Sequence, residues 1–354
     1  MLNYTKLFKI DPFSVPQIKK KKWYFKNQVK LTKFHYKNCS EYQKISNKIF
    51  KKIKSARNIF ELPFVHANIF KKHNLKSTKL ESLSKTLTSS GTSGSISFIN
   101  LDKKTSLIQS KALNKIFSNI IKTKVKKIFF VDSKNTIKDV NLYTARTAAI
   151  KGFSQLAEQK EFLLDKKMNL NIKKLLKFIK KYPKEKFIIF GFTSLIWLKF
   201  LNILKSRKIK LPPNNGLLIH GGGWKKLENL NITKKKFNLE ILKICKIKKI
   251  HNYYGMVEQT GSVFLECEYG YFHSSIYSDI FIRNQNLDIN PTNSEGLVQV
   301  MSLLPLSYPG HNILTEDLGK IVGIDNCKCG RKGKYFLIRG RVKGTDVRGC
   351  SDTI

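Results

Sequence analysis

Thr86-Leu87-Thr88-Ser89-Ser90-Gly91-Thr92-Ser93-Gly94-Ser95 reads TLTSSGTSGS, and nine of its ten residues are Ser, Thr or Gly. Side chains this small build no core. They leave backbone N–H and hydroxyl groups free to fold around an anion. Ser89, Ser90, Gly91, Thr92, Ser93 and Gly94 are therefore expected to hold the phosphates of ATP. Taken alone, the same residues also read as a flexible Ser/Gly linker, and the flanking sequence has to decide.

Downstream, Ile96–Leu101 reads as a short strand. Asp102 then caps a helix near Thr105–Ile121, with Ile108, Ala112, Leu113, Ile116 and Phe117 on its buried face. Lys127–Val131 (KIFFV) is a buried strand, and Asp132 follows at its C-terminal edge, where open α/β sheets place ligands. Thr144–Leu156 and Asn171–Lys180 have helical spacing, Phe187–Phe190 a strand, Leu195–Leu204 a helix and Gly216–His220 (GLLIH) another strand. This alternation predicts an α/β fold with a mostly parallel sheet. The GLLIH strand runs into Gly221-Gly222-Gly223-Trp224, where glycines let a ligand or another backbone approach, or simply make a tight turn. After a helix at Thr233–Cys245, strand Lys249–Tyr254 ends in YGMVEQ. From Val263 the pattern changes to short strands, Val263–Cys267, Asp279–Arg283 and Glu295–Ser302, which predict a small antiparallel β subdomain over about residues 262–340. Upstream, residues 1–80 are Lys-rich and read as helices packing beside the main domain, with Tyr42, Ile45, Ile49 and Ile53 on one face and Pro63 ending the pattern.

The totals narrow the class. The 354 residues are 41% apolar and 26% charged, which fits a globular chain long enough for a sizeable core. The formal net charge is +43, yet only eight of the basic residues are Arg and the Lys are spread along the whole chain. Nucleic-acid readers lean on Arg forks and a local patch, so no nucleic-acid partner is expected. The N-terminus lacks an apolar signal region. The longest apolar stretch, FIIFGFTSLIWLKFLNIL (Phe187–Leu204), is broken by Gly191, Thr193, Ser194, Lys199 and Asn202, and reads as strand, turn and helix instead of a membrane span. A cytoplasmic chain without integral membrane contact follows. Its six cysteines, Cys39, Cys245, Cys267, Cys327, Cys329 and Cys350, are then expected to serve metal binding or chemistry, not disulfides.

Four stretches now stand in order: TSSGTSG (Thr88–Gly94), HGGGW (His220–Trp224), YGMVEQ (Tyr254–Gln259) and TEDLG (Thr315–Gly319). The order resembles the adenylate-forming superfamily of acyl-CoA synthetases, adenylation domains and luciferases. HGGGWKK, YYGMVEQTGS with FLEC, CKCGRKGKYF and the terminal RGCSDT are similar to the LuxE-type acyl-protein synthetases, relatives of the phenylacetate-CoA ligases. The likeness spans roughly residues 80–354.

The resemblance implies roles. Ser89–Gly94 would form the phosphate loop, Gly221, Gly222 and Gly223 would lie against adenine and acyl chain, and Tyr254, followed by Gly255, would pack on the nucleotide. Glu258 would hold Mg2+, a hard cation suited to carboxylate and phosphate oxygens. Asp317 would accept the ribose hydroxyls, and Gly340-Arg341 resembles the hinge before a mobile C-terminal domain. Two features depart from the superfamily: no Lys follows the loop's last Gly, where Ser95-Ile96-Ser97 stands, and only thirteen residues follow Arg341. A large adenylation domain (81–340), a truncated C-terminal domain and a short tail (341–354) are expected.

The implied reaction is ATP-dependent activation of a carboxylic acid, of fatty type by the nearest family, as acyl-adenylate. Transfer to a protein thiol and hand-over to an acyl reductase or acyltransferase would follow. Cys350 matches the position of the thiol in LuxE-type enzymes, and Arg348 beside it favours the thiolate; an ordinary surface Cys is the other reading. An acyl-CoA ligase and a degenerate acyl- or nucleotide-binding scaffold are the alternative functions. Cys327-Lys328-Cys329-Gly330 resembles half of a zinc knuckle, and with Cys267 and His273 it makes a candidate structural Zn2+ site; two buried thiols beside a turn is the plainer account. His220 orients the Gly run or sits satisfied in the core, Trp224 lines a pocket or fills the core, and Lys225 and Lys226 reach an anion or water.

Overall fold

The computed structural model describes residues 2–50, 56–88, 97–122, 125–137, 144–223 and 231–342. The loop candidates Ser89, Ser90, Gly91, Thr92, Ser93 and Gly94, the Trp224-Lys225-Lys226 run and Cys350 lie outside the described residues. Among those described, residues 2–119 and 255–342 make one compact unit and 120–254 a second.

The chain enters the first unit with α1 (Tyr4–Leu7), α2 (Gln17–Asn38) and α3 (Ser40–Ile49). Pro16 precedes α2, and the Asp325 carboxylate accepts from the Gln17 N–H that starts it. The buried face of α2 is largely polar: Lys20, Asn27, Gln28, Thr32 and His35 join Tyr24 and Leu31 at helical spacing. Four of these side chains reach partners far away in sequence. Lys20 Nζ donates to the Ser275 and Ser278 carbonyls, Gln28 donates to Ser302 O, Thr32 meets His311, and His35 meets Ser77 and Pro305 O. The α3 face is narrower than expected. Tyr42 and Ser46 are its buried residues, whereas Ile49 is 61% exposed at the helix end and Ile53 lies outside the described residues. β1 (Val65–His66) and α4 (Ile69–Lys72) follow, then the hairpin of β2 (Leu83–Thr88) and β3 (Phe98–Asp102). The Thr86-Leu87-Thr88 start of TLTSSGTSGS is the end of β2. Asp102 accepts from the Thr105 N–H at 2.6 Å, as expected of the cap for α5 (Lys103–Ile121).

The second unit is a parallel sheet with helices between its strands. β4 (Val125–Ser133), α6 (Ala145–Phe153), β5 (Ala157–Leu164), α7 (Lys173–Lys181) and β6 (Lys186–Phe192) lead into α8 (Thr193–Leu195). A π-helical turn at Ile196–Leu201 and α9 (Asn202–Ser206) continue that helix, so the long apolar stretch is strand and helix as the sequence implies. β7 (Asn215–Gly221), α10 (Lys234–Cys245) and β8 (Lys249–Tyr254) complete the unit, in the strand order β5-β4-β6-β7-β8. β4, β6 and β7 are continuous apolar runs because they are covered on both faces. Phe129, Ile189, Leu218, Leu175, Phe200 and Phe237 share one core cluster. β5, AEQKEFLL, drew no expectation: its first half is exposed and polar, as an edge strand permits.

The chain then returns to the first unit as β9 (Phe264–Glu266), β10 (Phe272–His273), β11 (Ser278–Arg283), β12 (Gly296–Ser302), β13 (Asn312–Ile324) and β14 (Lys334–Arg341). Their order is β11-β12-β13-β14-β10-β9, antiparallel throughout, with β1 added in parallel to β13. A buried charge cluster fastens α2 here: Asp279 Oδ1 lies 3.0 Å from Lys334 Nζ and Oδ2 4.0 Å from Lys20 Nζ. Burial pushes the Lys20 ammonium down to about 8 against the pull of Asp279. Among the described residues no helix is long and apolar enough to cross a membrane.

Candidate active site and a cysteine–histidine cluster

Glu258 sits in a tight turn, Val257–Gln259, just after β8. Gln259 fixes that turn by donating to the carbonyls of Val300 and Gly310. Gly310 must be Gly, since a Cβ there would stand 2.5 Å from the Glu258 carbonyl oxygen. The Glu258 side chain is buried, and desolvation raises its pKa above the usual carboxylate range. The Ser97 hydroxyl and the cations Lys71 and Arg341 pull it back towards the charged form. A carboxylate oxygen is the kind of ligand a hard cation takes, while the two neighbouring cations favour an anionic group beside it.

On β13 and β14, Asp317 faces Arg341 in direct register. Arg341 Nε donates to Asp317 Oδ1 at 3.2 Å, and its guanidinium stands 3.9 Å from Glu316. Asn68 donates to the Glu316 carboxylate and accepts from Lys71 Nζ at 2.7 Å. One polar chain thus runs Lys71, Asn68, Glu316, Arg341, Asp317, and its two cations also act on Glu258. Asn68 and Lys71 escaped the sequence reading. Their only signal is a Lys at the end of a four-residue helix, indistinguishable there from the solvated lysines around it.

In the second unit the Gly run follows β7. Gly221 lies flat against Tyr253, where a Cβ would come within 2.5 Å of the ring, and Gly222 and Gly223 take positive φ of 82° and 65°. Local backbone geometry is thus sufficient to require glycine. His220 is a satisfied core histidine: Nδ1 shares a 2.9 Å hydrogen bond with Thr193 Oγ1, and burial pushes the ring down to about 3. Tyr254 ends β8, half-buried, and Gly255 follows it.

Cys267, His273, Cys327 and Cys329 converge in the first unit, with their ligand atoms all within 4.8 Å of one another. Cys267 Sγ is 4.0 Å from Cys327 Sγ, and Cys329 Sγ is 3.3 Å from His273 Nε2. Tetrahedral zinc with sulfur ligands sets S···S near ~3.8 Å, so the spacing fits. Two turns of the same shape present the thiols. In Cys267-Glu268-Tyr269-Gly270 and Cys327-Lys328-Cys329-Gly330 the final N–H donates to the first Cys carbonyl, and each Gly has φ above +80°. Burial and Arg331 lower the His273 ring to about 4, so it presents a neutral imidazole.

The model of the acyl-protein synthetase LuxE family matches residues 4–354. The chain belongs to that family. Among curated proteins, none matches the sequence. Among solved structures, 2-hydroxyisobutyryl-CoA ligase in the postadenylation state with 2-HIB-AMP is similar, at 12% identity and TM-score 0.72 over 94% of this chain and 70% of that one. The same ligase in an open conformation with 2-HIB-AMP and CoA matches 94% of this chain and 77% of its own, with the same identity and TM-score. ATP-bound MatB from Rhodopseudomonas palustris is similar at 15% identity and TM-score 0.50, over 75% of this chain and 49% of that chain. At such identities the likeness is one of fold, and this LuxE-family chain has the mixed α/β fold of the adenylate-forming ligases.

Proposed function

We propose that the chain activates a carboxylic acid with ATP and then carries the acyl group as a thioester on Cys350. The observation that carries this reading is the LuxE-family match along residues 4–354, and the buried Glu258 and the Asp317–Arg341 pair are consistent with it. A carboxylate is a poor electrophile. Its oxygen attacks the α-phosphorus of ATP, pyrophosphate leaves, and the acyl carbon then bears AMP as a good leaving group. Such a displacement needs positioning and charge neutralisation more than acid–base chemistry. Ser89–Gly94 hold the phosphates, and Lys71 supplies positive charge that the loop itself lacks. Asp317 accepts the ribose hydroxyls. Gly221–Gly223 and Tyr254 line the nucleotide and acyl chain. Glu258 would hold Mg2+, whose charge would neutralise phosphate oxygens. The Cys350 thiolate attacks the acyl carbon and AMP departs.

A long-chain acid and a reductase or acyltransferase as recipient are proposed from the family's character. The cysteine–histidine cluster is proposed as a structural Zn2+ site, because a closed set of three thiols and one imidazole leaves no open position for chemistry.

Acid-dependent exchange of pyrophosphate into ATP tests the first step. Its absence across acids of many chain lengths, in protein that binds ATP, would sink the reading and leave a binding scaffold. Radiolabelled acid with ATP should give hydroxylamine-labile protein label that Cys350→Ser abolishes. Label persisting in that variant removes Cys350 from the mechanism, and release of AMP only with CoA present makes the chain an acyl-CoA ligase.

A further inference from the structure

An apolar cavity of about 340 Å3 opens beside α2. Leu31 and Phe34 of α2, Leu2 and Tyr4 from the N-terminal segment, and Leu306 form its walls, all within the first unit. The lining surface is overwhelmingly apolar. At its edge stand Lys30, Lys33 and Lys37, three and four residues apart on one side of the helix. All three are exposed, and among the described residues none of their ammonium groups has a hydrogen bond or an ion pair. No acidic residue occurs anywhere in the 22 residues of α2. Like charges at this spacing repel one another on a helix, so an anion set among them relieves repulsion as well as gaining charge-assisted hydrogen bonds.

We propose that this cavity binds a medium-chain fatty carboxylate, with the acyl tail inside and the carboxylate among Lys30, Lys33 and Lys37. An apolar hole beneath a cationic rim matches an amphipathic anion, and a recess of this volume suits a single tail better than a bilayer surface. Size sets the length. A cavity of about 150 Å3 accepts a six-carbon ring, so one of 340 Å3 takes a chain of roughly twelve carbons. None of the wall or rim residues takes part in the acyl activation proposed above. The site is an additional one, and its existence does not depend on that reaction.

The test uses the full chain without ATP and a dodecanoate carrying a diazirine at its methyl end. Irradiation and peptide mass spectrometry should find crosslinks on the peptides containing Leu31, Phe34, Leu2 or Tyr4. Dodecanoate should compete for that labelling, and dodecanol, which lacks the charge, should compete about tenfold less well. The variant Lys30→Glu/Lys33→Glu/Lys37→Glu changes only exposed side chains, so its circular dichroism should be unchanged while half-saturation rises about tenfold or more. Crosslinks confined to other peptides overturn the proposal. So does labelling at these peptides that the triple variant leaves intact, or equal competition by dodecanol. Flotation with phosphatidylglycerol vesicles in the absence of monomer labelling assigns the lysines to a membrane instead, which also overturns it. Because the readout is labelling of α2 without nucleotide, a chain inactive in pyrophosphate exchange still answers the question.

Discussion

Arg341, the last residue of the final described strand, donates to Asp317 on the neighbouring strand at 3.2 Å. The pair is half-exposed, so as a plain salt bridge it contributes no more than ~1 kcal/mol to stability. Its value in a nucleotide site would be different: Arg341 would fix the carboxylate proposed to accept the ribose hydroxyls. Asp317→Asn is expected to raise the ATP KM in pyrophosphate exchange by about tenfold to a hundredfold, with thermal stability little changed. An unaltered KM for ATP would falsify the ribose role.

Glu258 and Lys71 should fail in different ways. Glu258→Gln removes the proposed metal ligand and is expected to lower the exchange rate by about a hundredfold or more while ATP still binds. Lys71→Met removes positive charge and should weaken ATP binding as well as slow exchange. Isothermal titration alongside exchange kinetics separates the two, and a Lys71→Met enzyme with full activity would return that residue to the surface lysines.

Much of this was legible beforehand, and the reasons can be given residue by residue. Asp102 announced its helix because an Asx cap before an apolar-periodic run has one common use. The strands KIFFV and GLLIH stood out because burial on both faces leaves no polar alternation. β5 was missed, since an edge strand with a polar half has the composition of a loop. The polar inner face of α2 was missed for a related reason: Lys20, Gln28 and His35 are buried against carbonyls and a hydroxyl that lie far away in sequence, at separations as large as 274 residues. Periodicity detects apolar stripes and is silent about polar ones. In the site, Glu258 and Asp317 sit within readable motifs, while Asn68 and Lys71 reach Glu316 only through the tertiary fold.

Purified protein should contain about one zinc per chain. Cys327→Ser and Cys267→Ser are each expected to reduce that to below ~0.2 and to lower Tm. Wild-type protein prepared with chelator-free buffers that still carries less than ~0.2 zinc would reject the metal.

Acid should weaken the fold through a histidine pair. The rings of His35 and His311 stack at 4.7 Å, fully buried beside Thr32, Ser77 and Tyr42. Burial holds His35 down to about 3 and His311 well below its ordinary value, the latter helped by His35 itself. Unfolded, each histidine takes up a proton below about pH 6.5. Between there and about 3 the unfolded chain binds more protons, so stability falls as pH falls. Each ring contributes at most ~1.4 kcal/mol per pH unit. Urea unfolding at about pH 7 and about pH 5 should show a smaller loss for His35→Gln/His311→Gln than for wild type; equal losses would assign the acid sensitivity elsewhere.

Cys267 and Cys327 lie sixty residues apart along the chain yet 4.0 Å apart in space. The metal proposed to join them would act as a clasp on a long loop, removing conformations from the unfolded ensemble as a disulfide does. For a loop of this length the chain-entropy relation gives ~4 kcal/mol. Loss of such an ion would be felt throughout strands β10 to β13 that the loop spans, and the cysteines, which are free among the described residues, would form a cross-link that opens with a chelator instead of a reductant.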